Sequence, residues 1–196
     1  EAQHLWYQDQ AIANDIFNGT PSTTTGGVLR IIDQGAAAAG LGVVLTTIGG
    51  TNLDPAMGPF SAGKNPVIKF RAGQVGTGVG TRRIGLTDNH LSRGEPANFI
   101  GVRWTNAGTY TGVVRRASAE ATVSLGTAAA ANTLNKFKIV VTGQNSADFY
   151  IDGVYQGTAS SNVPLTTTAL TAAFGLSGYA ASQGMEVDYI SVVQAR

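Results

Sequence analysis

Apolar residues recur at every second position along much of this chain, in short runs broken by glycine, asparagine, aspartate and proline. Alternation of this kind sends one set of side chains into a core and the other toward solvent, as in a half-buried strand. Ile68 and Phe70 alternate with Val67, Lys69 and Arg71, and Ile84 and Leu86 point inward from a strand over residues 82–87. Ile100, Val102 and Trp104 share one face, with Phe99, Gly101 and Arg103 on the other. Phe137, Ile139 and Val141 form an inward set opposite Lys136 and Lys138. Phe149 and Ile151 face away from Asp148, Tyr150 and Asp152, and Leu170, Phe174 and Leu176 continue the pattern. In the last strand Met185, Val187 and Tyr189 alternate with Glu186 and Asp188. Ile190 and Val192 then continue the acidic face, which predicts burial on both sides toward the strand's end.

Turn chemistry joins these runs. Asp152-Gly153 lies between Ile151 and Val154 and is a strong hairpin signal, because a type I′ turn needs positive φ at both central positions. Asn106-Ala107-Gly108 predicts a second hairpin. Shorter strands are expected at 28–32, 42–48, 110–115 and 120–125. Roughly a dozen strands at about 8–12-residue spacing argue for a sandwich or barrel. No βαβ rhythm and no internal repeat is visible. The expectation is an all-β, two-sheet antiparallel β-sandwich over residues 26–196, preceded by an N-terminal docking segment over 1–25. In that segment Leu5, Trp6, Tyr7, Ile12, Ile16 and Phe17 punctuate a polar background, and Leu5, Ile12 and Ile16 have a spacing that suits one or two helical turns. The segment either covers an edge of its own sandwich or docks on a neighbouring subunit.

Composition narrows the function classes. Charged residues are 13% of 196, about half the usual ~25%. Thirteen basic residues are scattered against twelve acidic ones, for a net charge of +1, so no nucleic-acid partner is expected. The dense basic pairs are Arg82-Arg83 and Arg115-Arg116. No apolar run is long enough for a membrane span. Cysteine is absent, which removes disulfides and thiolate chemistry.

Candidate chemistry is sparse. Gly76, Gly78 and Gly80 lack the following Lys-Ser or Lys-Thr of a phosphate loop, and Gly-x-Ser-x-Gly is missing. Asp88, Asn89, His90 and Glu95 crowd one loop, but two acids fall short of the six to eight oxygens of a calcium site. No metal site and no cofactor is expected. Sugars stack on exposed aromatics fixed by polar neighbours, and Arg103, Trp104 and Tyr110 around one hairpin are the glycan-binding candidates. The competing reading of Trp104, preferred on its alternation with Ile100 and Val102, is core.

Several motifs come in a telling order: Ile84-Gly85-Leu86-Thr87-Asp88, Asn98-Phe99-Ile100-Gly101-Val102, Phe149-Tyr150-Ile151-Asp152-Gly153, Asn162-Val163-Pro164 and Val187-Asp188-Tyr189-Ile190-Ser191-Val192. From about Gly26 onward the chain resembles the concanavalin A-like lectin/glucanase jelly rolls, and within them the laminin-G-like domains of bacteriophage structural proteins. The resemblance implies two curved antiparallel sheets and a family of lectins, glycoside hydrolases and virion modules. Its glucanases carry acids alternating along one strand face. Glu186 and Asp188 alternate so, but Gly184 and Ile190 flank them where a third acid is expected. Asp148 and Asp152 share a face, yet Asp152 belongs to the turn. The expectation is therefore a non-enzymatic virion or surface structural protein, such as a phage head decoration or tail-associated module. It would dock on capsid, tail or fibre subunits, self-associate as a homo-oligomer, and reside in a virion or outside the cell. A carbohydrate-binding module is the alternative, and a glycoside hydrolase a further one.

Overall fold

The computed structural model describes residues 5–10, 29–32, 41–46, 60–76, 80–88, 95–105, 108–127, 131–177 and 184–195. They build a two-sheet antiparallel sandwich with a single 3₁₀ turn, Ala62–Lys64, among the described residues. Sheet A runs β1 (Leu5–Gln10), β3 (Leu41–Thr46), β12 (Thr171–Ser177), β5 (Thr81–Thr87), β6 (Phe99–Thr105), β7 (Thr109–Arg116) and β8 (Ala119–Thr127). Sheet B runs β11 (Val154–Ala159), β10 (Ser146–Ile151), β9 (Asn135–Thr142), β4 (Val67–Val75), β13 (Gly184–Val193) and β2 (Leu29–Ile32). This is the all-β sandwich expected from the alternation.

The inward sets meet between the sheets. Ile68, Phe70, Ile84, Leu86, Ile100, Val102, Trp104, Phe137, Ile139, Val141, Phe149, Phe174 and Leu176 are all buried in one core. An aromatic chain crosses it. Trp104 meets Tyr110 edge-on at 5.4 Å, Tyr110 meets Phe137 at 5.0 Å, and Phe137 stacks on Phe70 at 4.9 Å. Removing the Phe137 ring from such a site would cost about 3–5 kcal/mol. At the far end Phe149 of β10 lies on Gly112 of β7, where a Cβ would stand 2.7 Å from the ring. Glycine there lets the two sheets close.

Three local features depart from the sequence pattern. The first is in β13. A bulge between Val187 and Tyr189 inserts one residue, so pairing with β4 runs Val187–Ala72 and then Tyr189–Arg71. A one-residue insertion reverses the parity of all that follows. Ile190 and Val192 therefore pack against the same core as Met185 and Val187, while Tyr189 and Val193 are exposed. The strand's end is not buried on both sides as expected. The second is in the N-terminal segment, where Leu5–Gln10 forms a strand rather than helical turns, because it pairs along the whole of β3 from Leu5–Thr46 to Gln10–Leu41. The backbones of Leu5, Trp6 and Tyr7 belong to this edge, and Ile12, Ile16 and Phe17 lie outside the described residues. The third is the β7–β8 turn. Ala117 and Ser118 both have positive φ, 48° and 72°, without glycine or asparagine. The Asp152-Gly153 turn has the same two signs, 49° and 86°, with the residues that suit it.

The Ala117-Ser118 turn generates a prediction. Left-handed backbone costs a residue with a Cβ about 1–2 kcal/mol. Replacing the pair with Asn-Gly (Ala117→Asn with Ser118→Gly) should stabilise the fold by about 1 kcal/mol or more, read as a higher urea midpoint with an unchanged slope. A lower midpoint would contradict the strain.

Candidate functional site: an arginine–glutamate cluster on the outer face of sheet A

Strands β5, β6, β7 and β8 are consecutive hairpins, so residues of like parity lie side by side on one face. With Arg82, Ile84 and Leu86 turned into the core, Arg83 turns outward, directly opposite Arg103 of β6. On the same face Phe99 stands opposite Arg115, and Arg115 opposite Glu120. Two arginines in direct register repel each other. Carboxylates interleaved between them offset that repulsion.

Two glutamates supply them. Arg103 forms a fork on Glu120, with Nη1 donating at 3.0 Å and Nη2 at 2.8 Å. Arg83 Nη2 donates to Glu95, and its Nη1 donates to Ser177 Oγ on β12 at 2.7 Å. Arg115 Nη1 lies 3.4 Å from both Glu95 Oε2 and Glu120 Oε2. The two carboxylates thus flank a single nitrogen, and Glu95 also approaches Arg103 Nη1 at 3.6 Å. The cluster spans β12, β5, β6, β7 and β8. Arg83 is nearly covered, with 5% of its side chain exposed, whereas Glu95 is 35% exposed and Arg103 26%.

The glutamates come from different kinds of element. Glu120 is a strand residue. Glu95 sits at the end of the β5–β6 connection, whose base is clamped by Asp88. The Asp88 carboxylate accepts the Asn98 backbone N–H at 3.0 Å and Asn98 Nδ2 at 2.7 Å. Asn98 Oδ1 in turn accepts the Ala117 N–H, and Ser118 N–H donates to the Ala97 carbonyl, so the β7–β8 turn is tied to the same base. Burial, the largest single influence on Glu95, pushes its carboxyl up; the hydrogen bond and charge of Arg83 and the charges of Arg103 and Arg115 outweigh it, and the net shift is downward from 4.5.

Beneath the charges lies a small apolar floor. Gly85 and Gly101 are opposite each other, and a Cβ on Gly101 would meet the Ile84 carbonyl and the Phe99 ring. Phe99, Val113 and Ala173 form a separate buried cluster on this outer face. The site is a sheet face with an apolar floor and a layer of fixed donors and acceptors above it.

The sequence-derived platform is not assembled here. Trp104 and Tyr110 are each 1% exposed and face the core, where no sugar reaches them. Only Arg103 lies on the outer face, because successive residues of a strand point to opposite sides. Trp104 as core, the reading preferred on its alternation, is what the structure shows. Glu186 is buried at 6% and Asp188 sits in the bulge with Arg71 at 3.1 Å, so the two do not form a matched pair. Asp152 accepts the Lys136 N–H and Asn135 Nδ2, which fixes the hairpin onto β9. Asp88 and Glu95, grouped as possible metal ligands, have separate partners, and Asn89 and His90 lie outside the described residues. Arg83, Arg115, Glu95 and Glu120 were missed. A usable signal was present: in four consecutive strands, counting parity from the core residues puts Arg83, Arg103, Arg115 and Glu120 on one face.

No family model and no curated protein matches the chain. Solved structures share its fold. A Bacillus licheniformis β-glucanase superposes with a TM-score of 0.60 at 15% identity, over 97% of this chain and 92% of its own. The carbohydrate-binding module CBM66 from Bacillus subtilis gives 0.53 at 12% identity, over 95% and 94%. A family 7 alginate lyase gives 0.54 at 14% identity, over 88% and 82%. At these identities the likeness establishes the fold, a concanavalin A-like jelly roll. The expectation of a non-enzymatic chain does not stand. A glucanase and a lyase share this architecture, so the fold gives no ground for excluding an enzyme. No helix among the described residues is long and apolar enough to cross a membrane.

The downward shift of Glu95 sets a pH signature. A carboxylate depressed in the folded state stabilises the fold above its unfolded value, and that contribution is lost as pH falls through the folded one. The stability difference between the native protein and Glu95→Gln should be full at neutral pH and shrink below pH 4.5. Urea midpoints measured in steps of falling pH would show this, and a difference constant down to the acid limit would contradict it.

Proposed function

We propose that this chain is a carbohydrate-recognising domain that engages a glycan across the outer face of sheet A. The observation that carries the proposal is the interlocked set Arg83, Arg103, Arg115, Glu95 and Glu120 on one sheet face. A sugar hydroxyl both donates and accepts, and neighbouring hydroxyls are matched by guanidinium donors and carboxylate acceptors side by side. Each arginine is already held by a carboxylate, so little side-chain freedom is lost on binding. Alternating charge disfavours a uniformly anionic ligand and suits a glycan read through its hydroxyls. Supporting this are the names of the structural neighbours, which include a carbohydrate-binding module, a β-glucanase and an alginate lyase. The setting proposed is extracellular, where polysaccharide is met. The virion role and the capsid, tail or fibre partners expected from motif order find no support in the neighbours described above.

Affinity electrophoresis through gels containing β-glucan, xylan or mannan tests the reading. Arg103→Lys keeps the charge and loses the fork on Glu120, so it should weaken binding about tenfold while leaving the fold intact. Release of reducing ends or of unsaturated sugars from a bound polysaccharide is read in the same samples. Turnover abolished by both Glu95→Gln and Glu120→Gln would make the site catalytic. Failure of every glycan to retard the protein, or equal binding by Arg103→Lys, would overturn the proposal.

A further inference from the structure

The outer face of sheet B, opposite the site above, carries a second arrangement. Pairing across β13, β4, β9, β10 and β11 aligns Ser191, Lys69, Lys138, Tyr150 and Tyr155 in one row. In the adjacent row Tyr189 stands opposite Arg71, and Arg71 opposite Lys136. Two like-charged pairs, Lys69 with Lys138 and Arg71 with Lys136, thus lie directly across one strand junction. Such pairs destabilise a sheet. On sheet A the equivalent repulsion is relieved by glutamates. Here, among the described residues, Arg71 pairs with Asp188, while Lys69, Lys136 and Lys138 have no carboxylate within ion-pair reach.

The aromatics beside these lysines are open. Tyr155 is 54% exposed and Tyr189 39%. Tyr150 and Tyr155 meet edge-on at 5.5 Å, and Lys138 Nζ sits 4.9 Å from the centre of the Tyr150 ring. The Tyr155 hydroxyl bonds Thr158 Oγ1 at 2.7 Å, and Thr158 donates to Asp148, so the rim of the patch is a chain of hydroxyl and carboxylate groups.

We propose that this face is a second binding surface, for an anionic polysaccharide. Its acid groups would lie between the opposed lysines and its sugar rings against Tyr150 and Tyr155. The row advances at the interstrand spacing of about 4.8 Å, so two cations and two aromatic faces follow one another along a line. Charge complementarity selects the anion, and the tyrosines and hydroxyl rim select a glycan among anions. A nucleic acid places a phosphate at every step and binds through dense positive charge. Asp148, Asp152 and Asp188 stand at this same surface and oppose that, whereas a glycan with spaced acids and free hydroxyls uses them as acceptors.

The test is Lys69→Glu, with alginate and polygalacturonate as probes and a neutral β-glucan read separately for the sheet A site. The variant turns a repelling cross-strand pair into an attracting one. Its thermal midpoint should hold or rise while its affinity for the two uronate polymers falls at least about tenfold. Tyr155→Ala should weaken the same binding while lowering the midpoint by only a few degrees, the loss of one exposed aromatic pair. No retention of either uronate polymer by the native protein would overturn the proposal. So would affinity retained within about twofold in Lys69→Glu. A DNA fragment or an anionic phospholipid vesicle bound as tightly as alginate would overturn it as well.

Discussion

The close approach of β5 and β6 at Gly85 and Gly101 fixes what each face of sheet A presents. A Cβ on either glycine would strike the backbone of the other strand, so these two residues are bound to each other's position. With that register set, Ile84 meets Val102, Leu86 meets Ile100 and Arg82 meets Trp104 on the inner side. Arg83 must then meet Arg103 on the outer side. A slip by one residue would turn Arg83 inward in place of Ile84 and send Leu86 to the surface. The repulsion of the two outer arginines is the consequence, and Glu95 and Glu120 are its resolution.

Two different kinds of energy are at work in the two layers. The core rests on rings and branched chains whose loss costs several kcal/mol each. The ion pairs on the outer face are partly exposed, and pairs of that kind contribute about 0–1 kcal/mol each. Stability alone is a weak reason for three arginines and two glutamates to be gathered there. What the cluster does provide is orientation. Arg83 is held from β12 and from the 95–98 segment, and Arg103 is held by a fork, so donors and acceptors stand in place before any ligand arrives.

Much of the fold was legible because the chain states its period plainly. Ile68-Phe70, Ile100-Val102-Trp104 and Phe137-Ile139-Val141 each took the face their alternation gave them. The Asp152-Gly153 turn was readable for the same reason, its residues being those the geometry requires. The bulge at Asp188 was not, because apolar residues follow it on both parities and one extra residue leaves no compositional trace. The Ala117-Ser118 turn was hidden by residues that suit it poorly and are held by Asn98 and Ala97 from another loop. The site was half legible. Arg103 was named, but paired with Trp104 and Tyr110 by nearness in sequence rather than by face. Glu95 could not be placed without the Asp88–Asn98 clamp, which is a contact across a loop.

The two outer faces differ in kind. Sheet A balances its arginines internally, and sheet B leaves its lysines open beside tyrosines. On the reading proposed here, a glycan read through its hydroxyls is met by the arginine–glutamate face, and the buried hairpin aromatics Trp104 and Tyr110 take no part. Backbone amide shifts recorded during titration with β-glucan oligosaccharides give the direct test. The largest changes should fall on Arg83, Glu95, Arg103, Arg115 and Glu120. Saturable shifts confined to the sheet edges or the 143–145 and 152–153 turns, with those five amides unmoved, would contradict it.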